Sequence, residues 1–201
     1  MRKVLPTLFC WLMILVQPFN AFAVNTIGML SSVGTVLIDN QPAGSATAVF
    51  PGDLIETKAK SKAIMASPRQ TITLSENSTL RIGDILELQS GVVVVSSAAT
   101  SLRVNNVTVT ATTPSKFLAR RLNGSLEVLA LEGSVLVSDG QQTTQVPATR
   151  GVSIGSLGKH LSWLRNDDIG ILIVVAAAIT AGVTLGIVNA QNAKPVTPSA
   201  P

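Results

Sequence analysis

Two glycine-containing segments with a valine-rich continuation decide the fold of this chain. They read Leu88-Gln89-Ser90-Gly91-Val92-Val93-Val94 and Leu131-Glu132-Gly133-Ser134-Val135-Leu136-Val137. In each segment a hydrophobic residue precedes a short polar step, a glycine and then β-branched residues, which favour strands. The glycine supplies a turn or bulge conformation that other residues rarely adopt. Two copies are compatible with an internal repeat in a β-rich fold.

Short β-branched runs separated by turn residues continue on both sides of these segments, and residues 24–156 show no helical periodicity. This spacing is typical of all-β domains. We therefore predict an all-β fold, either a sandwich or a solenoid-like domain. The predicted strands are 35–38, 46–50, 63–66, 71–74, 85–88, 92–96, 107–112, 116–121, 126–131 and 134–137.

Two dipeptides between these strands favour tight hairpins. Asn123-Gly124 and Asp139-Gly140 both suit the positive φ values that two-residue hairpin turns require. We expect each pair to join two antiparallel neighbours.

The N-terminus has the three parts of a secretory signal peptide. Met1-Arg2-Lys3 precedes an apolar run to about Val16, and Ala21-Phe22-Ala23 forms a small-x-small cleavage site. We predict a signal peptide over residues 1–23 and cleavage after Ala23; an uncleaved N-terminal anchor is the alternative. The only cysteine, Cys10, lies in this segment. We therefore expect a mature domain without disulfides.

A second apolar block, residues 169–188, contains no charged residue. At 1.5 Å per residue a helix of this length covers about 30 Å, the thickness of a bilayer core. We predict one transmembrane helix, with a buried core helix as the alternative. Residues 157–168 form the predicted juxtamembrane segment, with Trp163 and Arg165 as interfacial anchors. Residues 189–201 form a predicted short disordered tail. The signal peptide would place the β-rich domain outside the cell membrane and this tail on its cytoplasmic side.

Small residues recur every fourth position within this block, at Ala178, Gly182 and Gly186. One helix face would carry all three, and such a face allows two helices to approach closely. This pattern predicts a homodimer through the transmembrane helix; the alternative is that small residues are simply common in membrane helices.

Three lysines alternate with other residues at Lys58, Lys60 and Lys62. An extended chain would project all three from one face. We consider them a possible contact for an acidic partner, a lipid headgroup or a glycan. A solvated edge strand is the alternative, because lysines commonly protect strand edges.

The composition offers little for catalysis. There is one histidine, His160, no tyrosine, and no cysteine outside the signal segment. We expect no enzyme activity, no metal site and no cofactor. Of the 15 lysines and arginines, Arg2 and Lys3 lie in the signal segment, which leaves 13 against 11 acidic residues. We expect no nucleic-acid partner, because phosphate binding needs clustered positive charge.

Four segments between about residues 34 and 154 stand in a characteristic order. They are Gly52-Asp53-Leu54-Ile55-Glu56-Thr57 with Ser61-Lys62-Ala63; Thr71-Ile72-Thr73-Leu74 with Ser78-Thr79-Leu80; residues 88–94; and Thr113-Pro114 with the strand pair from Glu127-Val128 to Val137 and the ending Gly151-Val152-Ser153-Ile154. Together they carry a resemblance to the FecR-like periplasmic domains of bacteria. It implies an extracytoplasmic β domain. The founding members of the family are anti-sigma regulators that cross the membrane.

These features predict a membrane-tethered extracytoplasmic binding or scaffold protein of the bacterial envelope, with an envelope protein or polymer as partner. The alternative is a transmembrane signalling regulator of the FecR anti-sigma type. An envelope hydrolase is a third possible class of protein. The sequence offers no candidate pair of nucleophile and base for it.

Overall fold

The structure is a computed structural model that describes residues 26–155, 161–164 and 168–169. The predicted signal peptide, the predicted membrane span after Ile169 and the predicted tail therefore lie outside the described residues. Among the residues that are described, no helix is both long and apolar enough to cross a membrane.

The described chain consists of β-strands joined by short turns. The strands are β1 (Gly28–Val33), β2 (Val36–Ile38), β3 (Gln41–Pro42), β4 (Ala46–Val49), β5 (Leu54–Thr57), β6 (Lys62–Ala66), β7 (Gln70–Leu74), β8 (Ser78–Arg81), β9 (Leu86–Ser97), β10 (Thr100–Val104), β11 (Val107–Ala111), β12 (Ser115–Leu122), β13 (Ser125–Glu132), β14 (Ser134–Ser138), β15 (Thr143–Pro147), β16 (Gly151–Ile154) and β17 (Leu161–Trp163). The prediction of an all-β fold is confirmed.

Strand β9 belongs to two layers at once. Its second half pairs with β7 and β12 in layer A, which has the order β4-β1-β6-β7-β9-β12-β13-β16-β17. Its first half pairs with β8 and β10 in layer B, which has the order β3-β2-β5-β8-β9-β10-β11-β14-β15. The chain bends from layer B into layer A at Gly91, where φ is 87°.

One hydrophobic core lies between the two layers. Phe117, Met65 and Ile72 of layer A and Leu88 and Val109 of layer B are all fully buried in the same cluster. Each of these side chains alternates along its strand with residues of the opposite face, as strand geometry requires. The described residues therefore form an all-β fold in which two layers, joined through β9, share one core.

The structure merges two of the predicted strands and adds others. Residues 85–88 and 92–96 belong to a single strand, β9, because the bend at Gly91 keeps the chain hydrogen-bonded on both sides. The strands without a predicted counterpart are β1, β3, β5, β8, β10, β15, β16 and β17.

One of the two predicted hairpin turns is confirmed. Asn123 and Gly124 have φ values of 51° and 80° and join β12 to β13. The other prediction is wrong in detail, since a longer loop joins β14 to β15 and only Gly140 of the pair has a positive φ. Asp139 stabilises this loop instead, because its Oδ1 accepts hydrogen bonds from the amides of Gln141 and Gln142 at 2.9 and 2.8 Å. These two bonds lower the pKa of Asp139.

Part of the predicted juxtamembrane segment is ordered on layer A. Strand β17 pairs with β16, so that Trp163 lies opposite Val152 and is 52% exposed. Leu164 then donates its amide hydrogen to the carbonyl of Gly151 at 2.8 Å. The folded domain thus extends to at least residue 164.

Candidate functional site

The bend in β9 depends on a buried serine of the neighbouring chain segment. Ser78, which is fully buried, accepts the amide hydrogen of Val92 on its Oγ at 2.9 Å. A β-carbon at position 91 would lie 2.3 Å from this Oγ and 2.5 Å from the Cα of Ser78. Only glycine fits at this corner, because the space and the positive φ exclude any side chain.

The same pairing of a glycine and a serine occurs at two further corners between the layers. Gly34 packs on Ser61, whose Oγ accepts the amide hydrogen of Thr35 at 2.8 Å. Gly133 packs on Ser115 in the same way, with φ of 70°. Gly91 and Gly133, the glycines of the two valine-rich segments, therefore both stand at layer corners.

The third corner differs from the other two in its hydrogen bonding. Ser115 is 6% exposed, and its Oγ is the one buried side-chain polar atom among the described residues that has no hydrogen-bond partner. A buried hydroxyl without a partner costs about 1–3 kcal/mol of folding free energy. The side chain that carries this hydroxyl is also one of those that line a cleft at the same corner.

Ser115 lines an open cleft of about 350 Å³ at this corner. The cleft is also lined by Arg69 of the turn between β6 and β7, by Gln70, the first residue of β7, and by Pro114 and Glu132. Ser97 lies opposite Ser115 in the pairing of β9 with β12. Its Oγ accepts the amide hydrogen of Ala99 at 3.2 Å. Two largely buried serine side chains therefore belong to the lining of the cleft.

Opposite charges stand at the rim of this cleft. Arg69 is exposed and makes no ion pair within the described part of the chain. The side chain of Glu132 is 74% exposed, and its carboxylate lies 3.9 Å from the ammonium of Lys116. A weak, exposed pair of this kind leaves both groups open to a ligand. The cleft has the means to hydrogen-bond a polar chain and to hold an anionic group at Arg69.

Replacement of Ser78 and replacement of Ser115 should have different effects on the stability of the domain. Replacing Ser78 by alanine leaves the buried amide of Val92 without its acceptor, so we expect a loss of about 1–3 kcal/mol in the free energy of unfolding. Replacing Ser115 by alanine removes a hydroxyl that has no partner, so we expect no loss. Urea unfolding followed by circular dichroism measures both. Equal losses in the two variants would contradict this account of the corners.

The structure places the three candidate lysines around a turn and not on an extended strand. Lys58 and Lys60 lie in the connection from β5 to β6, and Lys62 begins β6. Lys58 pairs with Glu56 at 2.6 Å. Lys60 has a φ of 58°, and its amide donates to the carboxylate of Glu76 at 2.6 Å. The chain is therefore not extended from Lys58 to Lys62, because a turn with a positive φ at Lys60 lies between them.

Lys62 is separated from the other two lysines by its environment as well. The residue is 7% exposed, and burial lowers the pKa of its ammonium group. Lys58 and Lys60, by contrast, are exposed. A shared contact of all three with one acidic partner remains a prediction, and the geometry leaves only Lys58 and Lys60 on the outside of the turn.

Other predicted site residues fall outside the described residues. These are Ala178, Gly182 and Gly186 of the predicted helix face and the lone histidine, His160. Within the ranges that the structure describes, no three side chains of histidine, cysteine, aspartate or glutamate come close enough to hold a metal ion.

Comparison with solved structures identifies the fold. Two crystal structures of a putative anti-sigma factor from Parabacteroides distasonis ATCC 8503, at 1.65 and 2.50 Å resolution, match this chain with TM-scores of 0.52 and 0.51 and 12% sequence identity. This chain shares their fold. The match covers 61% of this chain and 64% and 63% of theirs, which is less than two thirds of their length. No protein-family profile and no curated protein matches the chain.

Proposed function

We propose that this chain is a non-catalytic, membrane-tethered binding or scaffold protein of the bacterial envelope, with a FecR-like domain outside the cell membrane. The observation that carries the binding role is the unpartnered hydroxyl of Ser115 in the lining of an open, polar cleft. The signal peptide and apolar run predicted from the sequence support the location. The partner is an envelope protein or polymer that lays a polar segment into this cleft.

The chemistry of the cleft supports an extended polar ligand. Ser115 lacks a partner, Ser97 lies beside it, and Arg69 adds a positive charge at the rim. Charge-assisted hydrogen bonds of arginine to carboxylate or phosphate are about twice as strong as neutral ones. A chain with hydroxyl or amide groups and one anionic substituent would pair with Ser115 and Arg69.

A transmembrane signalling regulator is the second candidate. It is favoured by the fold that this chain shares with the two crystal structures described as a putative anti-sigma factor. In this role, a segment that follows the predicted span, such as residues 189–201, would bind a sigma factor in the cytoplasm. Co-purification of a sigma factor that depends on residues 189–201 would favour this candidate over a scaffold.

Site-specific photo-crosslinking in intact envelopes tests the binding role. A photoreactive amino acid in place of Ala98, an exposed residue of the cleft, should give a discrete cross-linked product. The same amino acid in place of Gln141, in the exposed turn at the far end of β14, is the control and should give none.

The variant Ser115→Ala separates binding from folding. It should weaken the cross-linking at position 98 while the domain keeps its stability. Equal cross-linking at positions 98 and 141, or a cross-link unaffected by Ser115→Ala, would reject the cleft as the binding site.

A further inference from the structure

The outer face of layer A carries an apolar row across three central strands. Val94 on β9, Leu118 on β12 and Leu129 on β13 lie opposite one another in the strand pairing. They face away from the core, because their neighbours Val93 and Val95 point into it. All three are nonetheless buried, with exposures of 2%, 0% and 0%. Something covers this face of the sheet.

The chain itself supplies the first part of the cover. Leu164 and Ile169 pack against Val92, Val94, Leu118 and Leu129 in a second hydrophobic cluster. Ile169 is 7% exposed. It is also the first residue of the apolar block 169–188. The block that the sequence predicts to enter a bilayer therefore starts on the surface of the domain.

The covered row extends further than these two side chains reach. Thr73 on β7 lies opposite Val94 and is 6% exposed on the same outer face. It stands three strands away from β13, which is about 14 Å at the usual strand spacing. Lys62, on the outer face of β6, is also buried, and burial lowers its pKa. One isoleucine and one leucine are too small to cover this distance.

Charged pairs border the apolar row on both sides. Lys116 and Glu132 lie on one side, and Arg120 and Glu127 form a cross-strand ion pair on the other. Along β12, each pair lies two residues, or about 7 Å, from the apolar row, so the two pairs are about 14 Å apart. A helix with its side chains is about 10–12 Å across, so the apolar strip between the pairs is wide enough for a single helix.

We propose that residues 170–188 dock along this strip in the absence of a bilayer. The strip is defined by Thr73, Val94, Leu118 and Leu129. The block begins at its β13 end with Ile169 already seated. As a helix it would measure about 30 Å, more than the distance from β13 to β7. The apolar block thus has two alternative sites, the sheet and the membrane, and insertion into the membrane uncovers the strip. This inference does not depend on ligand binding in the Ser115 cleft.

Disulfide cross-linking of the full chain tests the docked state. Replacing Cys10 by serine removes the only cysteine. Thr73→Cys is then combined with single cysteines at successive positions from 174 to 184. In lipid-free solution we expect oxidation to give an intramolecular disulfide at positions spaced three or four residues apart, as one helix face would present them. The control replaces Gln145, an exposed residue of β15 in layer B, by cysteine and should give no such pattern.

Reconstitution then tests the competition with the bilayer. In vesicles of phosphatidylethanolamine and phosphatidylglycerol the disulfide to position 73 should be lost. Two results would overturn the proposal. One is a yield in solution that does not exceed the Gln145 control at any position. The other is a disulfide that forms equally well in solution and in vesicles.

Discussion

Replacing Gly91 by alanine should lower the free energy of unfolding by about 2–5 kcal/mol, which is large beside the total stability of a small domain. Two costs combine. The residue has a φ of 87°, which disfavours any side chain, and the new β-carbon would lie 2.5 Å from the Cα of Ser78. The Cα of Ser78 belongs to the backbone of β8, so it cannot move aside as the end of a flexible side chain would. The bend of β9 between the layers would have to shift.

Gly140→Ala is the matched control for this change. Gly140 has a similar φ of 89°, but no atom lies within 4 Å of the position that its β-carbon would occupy. It should therefore show only the conformational cost, about 1–2 kcal/mol. Denaturant unfolding of both variants measures the difference. A loss at Gly91 no greater than at Gly140 would show that the corner tolerates a side chain.

Replacing Phe117 by alanine should cost about 3–5 kcal/mol, as phenylalanine truncations in cores usually do. Phe117 is among the largest fully buried side chains, and it lies on β12 between β9 and β13. The core around it consists mainly of valine, leucine, isoleucine and alanine. The truncation would leave a cavity of about the size of a phenyl ring in this core, and the cavity adds to the lost burial of the ring.

Leu122→Ala, at the end of the same strand, is the control for this truncation. Leu122 is 54% exposed, so we expect a change within about 0.5 kcal/mol. Thermal and urea unfolding of the two variants should separate them clearly. If Phe117→Ala unfolds with the midpoint of Leu122→Ala, the side chain does not hold the two layers together.

The sequence predicted the strands that carry a clear local signal. Residues 107–112 alternate valine and alanine with threonine, and β11 covers 107–111. Asn123-Gly124 encodes its own hairpin turn, since asparagine and glycine tolerate positive φ. Strands such as β3 and β17 contain only two and three residues. They exist because neighbouring strands pair with them, and a local pattern does not reveal such pairing.

The candidate site was harder to predict for the same physical reason. Whether the hydroxyl of Ser115 finds a partner depends on where β12 meets β13 and Gly133, and Arg69 reaches the cleft only through the pairing of β7 with β9. The lysine prediction assumed an extended chain, which the positive φ of Lys60 interrupts. One signal was present for the covered face of layer A. Four consecutive valines, 92–95, indicate a strand buried on both sides.

Strand β9 makes the domain indivisible. Its twelve residues provide hydrogen-bonding neighbours for β7 and β12 on one side of Gly91 and for β8 and β10 on the other. A cut at the middle of the chain would therefore leave neither half with a complete sheet. A tension applied at the C-terminal strands of layer A would reach layer B through β9, because this strand carries hydrogen bonds of both layers.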